Sequence, residues 1–432
     1  MSGGTQTVDY RRALEALRNG VPNADAVRVL GSNQEKVEQH FLERLASMEE
    51  AVAGERQVPG LLVAGGFGTG KSHLLKYLQD KAVSENFVCS HIVISKETPL
   101  FDPAKVYRAA IEAAVVPDKV GQAIQEIGLG VKQDTPAYAA LYKWANCDDS
   151  GVGQIFPATL LLHERLKGDP ELVAEIISFW SGDNLTPTRV RKGLKQINSA
   201  ASFDLKTVKQ SQTVKQRQLA LQRFTFAPRL MLGAGYRGWV LLIDEVELIG
   251  RYSLLQRGKS YAELARWMGQ IEGQEYPGLM AVAAITDDFA AKVLQEKEDR
   301  DKIGPRLRSK ETHDFSILAA QAEVGMRIIE RDALTLARPD ADVLDQTYLK
   351  LKDIHARAYG WEPPDVESGD KTMRREMRSY VRRWINEWDL KRLYPEAAVS
   401  IEEQELQPTY EEDRDLEQSS DEEAAAGDAA GT

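Results

Sequence analysis

The sequence predicts an α/β fold in which helices flank a parallel sheet. Apolar runs of strand length alternate along the chain with segments of helical periodicity, which is typical of βαβ units. The runs 238–243 and 279–285 lack alternating polar residues, as expected for strands buried on both faces of a parallel sheet. A third run, Leu61–Ala64, leads directly into a glycine-rich segment and then into a helical pattern.

The same patterns predict how the chain is divided. Residues 87–95 and 313–317 are further candidate strands, and a helix is expected at 320–337. The predicted segments are an N-terminal helical segment (1–50), a core (51–318) that carries a helical insertion at about 115–230, a C-terminal helical lid (319–396) and an acidic, disordered tail (397–432).

Composition narrows the class of protein. Of the 432 residues, 43% are hydrophobic and 28% are charged, which is ordinary for a soluble globular protein. The two cysteines, Cys89 and Cys147, form neither a disulfide framework nor a zinc pattern, so we expect a cytoplasmic protein. No apolar stretch approaches the roughly 20 residues of a membrane-spanning helix, and the polar first residues do not resemble a secretory signal.

The formal net charge of −11 comes from one end of the chain. Residues 401–432 contain 12 acidic residues and one arginine, which leaves 54 basic and 54 acidic residues in 1–400. This tail has few large apolar groups, so it buries too little surface to offset its loss of conformational entropy on ordering. We therefore predict a disordered tail that aids solubility; a specific interaction tail is the alternative.

Residues 65–72 match the motif G-x-x-x-x-G-K-[ST], which binds phosphate groups. Its glycines let successive main-chain N–H groups turn towards phosphate oxygens, and the following helix presents its positive N-terminal end to the same anion. Lys71 is expected to reach the β- and γ-phosphates, and the Ser72 hydroxyl to ligate Mg²⁺. The residues predicted to bind ATP here are Gly65, Gly66, Phe67, Gly68, Thr69, Gly70, Lys71, Ser72 and His73. This motif predicts a P-loop NTPase.

The run 238–243 ends in two carboxylates, Asp244 and Glu245. Ligands of parallel sheets bind at the carboxyl ends of the strands, which is where these side chains are expected. Phosphoryl transfer needs one acid for the metal and one for the nucleophile. We predict that Asp244 holds Mg²⁺ and that Glu245 orients the attacking water, with Glu247 as the second choice for that role. The six histidines have no metal spacing, so Mg²⁺ is the only metal expected.

Thr286 and a group of arginines are further candidates. Thr286 follows the run 279–285, where its hydroxyl would hydrogen-bond the γ-phosphate or the water; strand-end capping is the alternative. Arginines neutralise charge on the transferred phosphoryl group, often from a neighbouring subunit. The candidates for this role are Arg306, Arg308 and Arg251, and an exposed basic turn is the alternative for each of them.

The segment 371–392 is strongly basic, and Arg374, Arg378 and Arg382 share one helical face in it. Three roles compete for this face: a lid arginine that touches the nucleotide, contact with nucleic-acid phosphates, and a solvated helix paired with acids. The first role is preferred for Arg374. Trp384 and Trp388 lie one helical turn apart and are expected to pack in the core of the lid.

Five stretches resemble the BREX-associated ATP-binding proteins of the BrxC-like and BrxD-like group. The resemblance covers most of residues 10–395. The stretches are ALEALRNGVPNADAVRVLG, GGFGTGKSHLL, VISKETPLFDPAKVYRA, LGAGYRGWVLLIDEVELI and TMRREMRSYVRRWINEWDLKRLYP. The resemblance implies an AAA+ ATPase similar to the Orc/Cdc6 initiator group, found in bacterial phage-defence systems beside helicases and methyltransferases. It also implies Walker A residues Lys71 and Ser72, Walker B residues Asp244 and Glu245, sensor-1 residue Thr286, trans arginine Arg306 and lid arginine Arg374.

Two functional hypotheses follow. The first is a Mg²⁺-dependent AAA+ ATPase that acts in antiphage defence as a homo-oligomer, on DNA or with a DNA-acting partner such as a helicase. The second is an ATP-binding switch or scaffold with little hydrolysis. The pair Asp244 and Glu245 favours hydrolysis. Direct DNA binding is left open, and the absence of an evident winged-helix domain after the lid argues against it. A third function, that of a small-molecule kinase, would need an acceptor pocket that the sequence does not indicate.

Overall fold

A single sheet organises the molecule. The computed structural model of the protein describes residues 3–119, 121–132, 134–199, 203, 212–366, 376–396 and 409–413. The strands in these residues are β1 (Leu61–Ala64), β2 (Val88–Val93), β3 (Ala114–Val115), β4 (Trp239–Asp244), β5 (Leu279–Ile285) and β6 (Leu334–Thr335). Their order across the sheet is β3-β2-β4-β5-β1-β6, and all neighbours are parallel except β2 and β3. The predicted α/β fold with a mainly parallel sheet is confirmed.

Helices account for most of the remaining described chain. Before the insertion they are α1 (Gly3–Asn19), α2 (Ala24–Leu30), α3 (Glu35–Ala46), α4 (Met48–Ala53), α5 (Lys71–Ser84) and α6 (Pro103–Glu112). The insertion contains α7 (Ala123–Gly130), α8 (Pro136–Ala145), α9 (Ile155–Arg165), α10 (Pro170–Ser181), α11 (Pro187–Gln196) and α12 (Gln212–Gly233). They are followed by α13 (Leu254–Trp267), α14 (Asp299–Arg308), α15 (His313–Arg331), α16 (Ala341–Tyr359) and α17 (Met377–Leu393). None of the helices in the described residues is both long and apolar enough to span a membrane.

Three insertion helices begin with a capping residue followed by proline. Thr135 caps α8, Asp169 caps α10 and Thr186 caps α11, and each side chain accepts a hydrogen bond from a main-chain N–H of the first turn. A proline at the first helical position loses no hydrogen bond, because a main-chain N–H at that position has no acceptor within the helix. These short-range signals explain why the helical insertion was predictable. They also define α11, which lies in a polar stretch with few apolar residues.

The sheet is covered on both faces, as its apolar strands require. In β4, Leu241 and Ile243 join the cluster that includes apolar residues of α6, α12 and α13. Their neighbours Val240 and Leu242 join the cluster on the other face, with residues of α3, α4 and α5. All four side chains are 0% exposed. This burial places the end of β4, and the acids that follow it, at one edge of a rigid sheet.

The prediction of a strand at 313–317 is wrong. These residues form the first turns of α15, which Thr312 caps by accepting a hydrogen bond from the Phe315 N–H at 3.3 Å. The helix ends at Arg331, short of the predicted 337, and the short strand β6 follows it. It also packs on α13 of the core rather than in the lid, because Ala322 and Met326 recur at helical spacing and are buried there. A polar–apolar pattern of five residues is compatible with either a strand or a helix, and only the packing partner decides between them.

The predicted N-terminal segment is divided between two parts of the fold. α1 and α2 pack with α16 and α17 in a third apolar cluster, which we call the lid cluster. Leu14 of α1 and Leu351 of α16 are buried there. Trp384 and Trp388 lie in the same cluster, as predicted. In contrast, Phe41 of α3 is buried under the sheet. The lid layer is therefore built from both ends of the chain.

The tail differs from its prediction at five residues. Residues 409–413 lie against the core, where the Tyr410 hydroxyl is 2.5 Å from Thr286 Oγ1 and Asp413 pairs with Arg251. Residues 397–408 and 414–432 lie outside the described residues. A composition argument averages over the whole tail, so it misses a short segment whose individual side chains find specific partners.

Candidate active site

The phosphate-binding loop connects β1 to α5 as predicted. Gly68 and Gly70 have φ values of 87° and 103°, which a residue with a side chain rarely adopts. Gly65 is constrained by close approach instead, since a Cβ added there would lie 2.6 Å from Thr69 Oγ1. Thr69 in turn donates a hydrogen bond to the Gly66 carbonyl at 2.9 Å, which closes the turn. The loop is thus preformed at the N-terminal end of α5, where main-chain N–H groups lack helical partners.

Lys71 is held inside this loop. Its Nζ donates a hydrogen bond to the Gly65 carbonyl at 3.0 Å and lies 3.4 Å from Glu247 Oε1. The Lys71 side chain is only 7% exposed. A buried ammonium needs such partners, because burial without them would disfavour the charged form. The structure therefore brings the predicted phosphate-binding lysine next to the acids that follow β4.

Asp244 meets Ser72 across the site. Burial tends to raise the pKa of Asp244, but His91, a hydrogen bond from Ser72 and the Glu245 N–H together hold that pKa below its ordinary value. His91 lies on the neighbouring strand β2, with its Nε2 3.7 Å from Asp244 Oδ2. The two predicted metal ligands are thus adjacent, and the carboxylate is kept ionised.

Glu245 occupies an unusual backbone position. Its φ of 58° and ψ of 35° lie in the left-handed region, at a cost of about 1–2 kcal/mol for a residue that is not glycine. Its N–H donates a hydrogen bond to Asp244 Oδ1 at 3.0 Å, which holds this turn at the end of β4. Burial and the neighbouring Asp244 charge raise the pKa of Glu245. Strain of this kind is common in active sites, and the side chain lines the site cavity.

Glu247 lies deeper than Glu245 and contacts Lys71 directly. It is 6% exposed, and burial raises the pKa of Glu247 from 4.5 to about 7 although the Lys71 charge opposes this shift. Its Oε2 is buried and has no hydrogen-bond partner among the described residues. The second-choice acid of the sequence analysis is therefore the one that contacts the loop lysine in this structure.

Thr286 lies at the end of β5, as predicted, and is 3% exposed. The Tyr410 hydroxyl lies 2.5 Å from Thr286 Oγ1 and donates a hydrogen bond to Asp288 Oδ1 at 2.7 Å. Burial raises the pKa of Tyr410. The sequence contained no signal for this contact, because 124 residues separate the two hydroxyl groups.

Arg378 is the lid arginine that the structure brings to the loop. Its N–H donates a hydrogen bond to the Gly68 carbonyl at 3.4 Å, and its guanidinium carbon lies 5.4 Å from the centre of the Phe67 ring. Burial lowers the pKa of Arg378, and the Arg382 charge adds to this effect. Arg374, the preferred lid arginine of the sequence analysis, lies outside the described residues. The helical face predicted from the sequence included Arg378, but the sequence analysis preferred Arg374 for the role of lid arginine.

An open cavity extends from the loop towards the lid cluster. One wall is apolar and comes from α1, α2, α16 and α17. A second wall is the loop around Asn33 and Gln34, where the Gln34 side chain makes two hydrogen bonds with the Ala337 main chain, at 3.0 and 2.9 Å. His73 also lines the cavity; its Nε2 is 2.8 Å from the Gly31 carbonyl oxygen, and burial lowers the pKa of His73. The apolar side chains of the first wall are Ala16, Leu17, Pro22, Leu30, Val343, Met377 and Val381.

The candidate trans arginines lie away from this cavity. Arg306 is exposed on α14 and is not among the residues that line the cavity. Arg308 pairs with Glu323 at 2.7 Å, and Arg251 pairs with Asp413 of the tail at 2.5 Å. Within the described residues, no group of three or more His, Cys, Asp and Glu side chains could hold a metal ion on its own.

Comparison with known proteins identifies one family. No curated protein and no solved structure matches the chain. One family model matches residues 6–128 and 206–385, which include the predicted phosphate-binding loop, the pair Asp244 and Glu245, Thr286 and Arg378. The gap between the two matched ranges falls within the helical insertion. The chain belongs to the family described as BREX system ATP-binding protein BrxC/D.

Proposed function

We propose that this protein is a Mg²⁺-dependent ATPase of the AAA+ class that acts in BREX-type phage defence. The observation that carries the proposal is the convergence of Lys71, Asp244 and Glu245 at one edge of the sheet, with Lys71 buried beside acids. A P-loop lysine with a metal-binding acid and a water-orienting acid is the constellation that phosphoryl transfer to water requires. Membership of an ATP-binding family supports ATP as the nucleotide.

The residues at the loop fit Mg²⁺. Ser72 and Asp244 offer a hydroxyl and a carboxylate oxygen that already lie within hydrogen-bonding reach of each other. Mg²⁺ prefers oxygen ligands and keeps several waters, so one or two protein ligands and phosphate oxygens complete its shell. When bound, the ion would supply positive charge to the phosphate oxygens. His91 would act as a positioning residue behind Asp244.

The chain's own groups divide the remaining work. Main-chain N–H groups of the loop and Lys71 would bind the phosphates, at the N-terminal end of α5. Glu245 would orient the attacking water and accept its proton, a role that suits a carboxyl whose pKa is raised by burial and by Asp244. Arg378 would reach the same phosphates from the lid, because it is anchored to Gly68. The apolar wall of the cavity fits the adenine ring.

This scheme is tested by nucleotide binding and turnover in the intact protein. Lys71→Ala should lose ATP binding, because no other ammonium in the described residues lies inside the loop. Glu245→Gln should retain binding and lose turnover by at least about 100-fold. Glu49→Gln, on the exposed face of α4, is the matched control and should behave as wild type. Equal turnover in all four proteins would refute the assignment.

A nucleotide-dependent switch or scaffold is the second candidate. Two contacts favour it: Lys71 is paired with Glu247, and Thr286 is hydrogen-bonded to Tyr410. A site engaged by its own side chains would turn over slowly. Turnover with and without DNA separates the two functions, together with the mass of the assembly in solution. Stimulation by DNA in an oligomer supports a motor or loader that works on DNA or with a helicase; a monomer without stimulation supports the switch.

A further inference from the structure

The five described tail residues bind a specific groove beside β5. The Tyr410 ring packs edge-on against Phe289, with ring centres 5.9 Å apart. It also lies so close to Gly250 that a Cβ added at Gly250 would come within 2.9 Å of the Tyr410 ring. The base of the groove is thus shaped for an aromatic side chain. Such close packing is a property of a binding site rather than of a segment lying loosely on the surface.

The rest of the groove is basic and pairs with two acidic residues of the segment, Glu412 and Asp413. Lys297 donates hydrogen bonds to the carbonyl oxygens of Gly250 and Tyr410. Arg257, already paired with the buried Asp299, also reaches Glu412 Oε1 at 2.8 Å. Two partly exposed side chains form the last pair, Arg251 and Asp413, and the Asp413 N–H donates to the Arg251 carbonyl at 3.1 Å.

The hydrogen-bond pattern shows what this segment does to Thr286. Tyr410 has one hydroxyl hydrogen, and it is donated to the Asp288 carboxylate. The bond between the two hydroxyl groups must then use the hydrogen of Thr286. A threonine hydroxyl has only one hydrogen to donate. While the segment is bound, Thr286 therefore has no hydrogen for a phosphate oxygen or a water molecule.

We propose that residues 409–413 are an intramolecular ligand that competes with the nucleotide's γ-phosphate region for Thr286. The inference rests on the proposed function, since it assigns Thr286 to the nucleotide site. The ligand is a threonine–tyrosine–acidic segment, and its receptor is the groove formed by Gly250, Arg251, Arg257, Phe289 and Lys297. Binding of the segment lowers turnover, and its release gives Thr286 back to the site.

Docking is measured first, by hydrogen exchange of the Asp413 amide in the full chain, without nucleotide. We expect this amide to be protected in the wild type. Arg251→Asp or Asp413→Arg alone should remove the protection, and the two changes together should restore it, because the charges are exchanged. Glu49→Arg, at an exposed position of α4 outside both the segment and its groove, makes the same change of charge as Asp413→Arg and should leave the protection unchanged. Free exchange in the wild type would overturn the proposal whatever the ATPase activity is.

Competition is measured next, in the Glu245→Gln variant, so that no hydrolysis is needed. Saturating ATP and Mg²⁺ should increase Asp413 amide exchange about three- to tenfold, the range expected for one hydrogen bond. Unchanged exchange with ATP bound overturns the proposal. A failure to bind ATP at all would instead refute the proposed function, while the docking result would stand.

Turnover gives the third measurement. Tyr410→Phe keeps the ring in the groove but removes the hydroxyl, so we expect about three- to tenfold faster turnover than wild type. In a Thr286→Val background the same change should have no effect, because the hydroxyl it releases is absent. An equal gain in both backgrounds would mean that Tyr410 acts elsewhere and would overturn the proposal.

Discussion

At the scale of single residues, the site is governed by buried charge. Lys71 and Glu247 lie 3.4 Å apart, and each side chain is 7% exposed. Desolvation disfavours both charged forms, and their mutual attraction offsets part of that cost. For Glu247 desolvation prevails, so its pKa rises to about 7. In this structure the Glu247 carboxyl group contacts Lys71 in place of the phosphate that Lys71 is proposed to bind. Any anion that binds Lys71 must displace this contact.

The raised pKa of Glu247 predicts a pH-dependent stability. Below pH 4.5 the carboxyl is protonated in both the folded and the unfolded chain; between pH 4.5 and about 7 only the unfolded chain releases the proton. Glu247 therefore lowers the free energy of unfolding as pH rises, by about 3 kcal/mol at pH 8. Glu247→Gln should be more stable than wild type at pH 8, with a difference that shrinks towards pH 5.

Denaturant unfolding of the nucleotide-free protein at several pH values measures this effect. Glu49→Gln removes an exposed carboxyl and should follow the wild type at every pH. A stability difference for Glu247→Gln that is the same at pH 5 and pH 8 would contradict the argument.

At the scale of elements, the packing of α15 on α13 depends on one glycine. A Cβ added at Gly325 of α15 would lie 1.9 Å from the Tyr261 carbonyl oxygen of α13. Glycine in a helix interior lowers helix stability by about 1 kcal/mol relative to alanine. Glycine at this position therefore allows the two helices to approach closely at the expense of helix propensity. Because the obstructing atom belongs to the main chain, the two helices must move apart to make room.

We expect Gly325→Ala to destabilise the protein by about 1–3 kcal/mol, the range for overpacking in a core. Gly168→Ala is the control, because a Cβ at Gly168 meets no atom within 4 Å. Thermal unfolding of both variants is the measurement. A gain in stability for Gly325→Ala, as helix propensity alone predicts, would show that the helices separate at little cost.

At the scale of the whole molecule, the position of Arg306 bears on whether a second copy contributes to the proposed nucleotide site. Arg306 is exposed on α14 and does not line the cavity of its own chain. The proposal of a trans arginine makes a specific prediction for mixtures. Lys71→Ala and Arg306→Ala should each be inactive alone, whereas a mixture should recover part of the turnover. In a mixed oligomer, the site of an Arg306→Ala subunit keeps Lys71 and can bind ATP. The neighbouring Lys71→Ala subunit then supplies an intact Arg306 to that site.

The ATPase assay of this mixture at several ratios is the measurement. Arg308 pairs with Glu323 of its own chain, so Arg308→Ala serves as the comparison and should retain turnover. A mixture no more active than the sum of its parts would argue against Arg306 as a trans group.

Local sequence patterns were sufficient to predict the parts of this protein that depend on short-range order. A strand, glycine loop and helix in succession, and an apolar strand ending in two acids, are read within about ten residues of each other, because strand and helix periodicity are local properties. The sequence thereby predicted the α/β sheet and the ATP-binding family, and the structure brings Lys71, Ser72 and Asp244 together as this pattern implies.

Contacts between residues distant in the chain could be identified from the folded molecule alone. Arg378 at the loop, Tyr410 on Thr286 and the packing of α1 with α17 join segments that no local pattern connects. The strand predicted at 313–317 failed for the same reason, because these residues begin α15, a helix that packs on α13. Burial against a distant partner, rather than propensity, fixes such elements, since each buried side chain contributes more than the local preference it overrides.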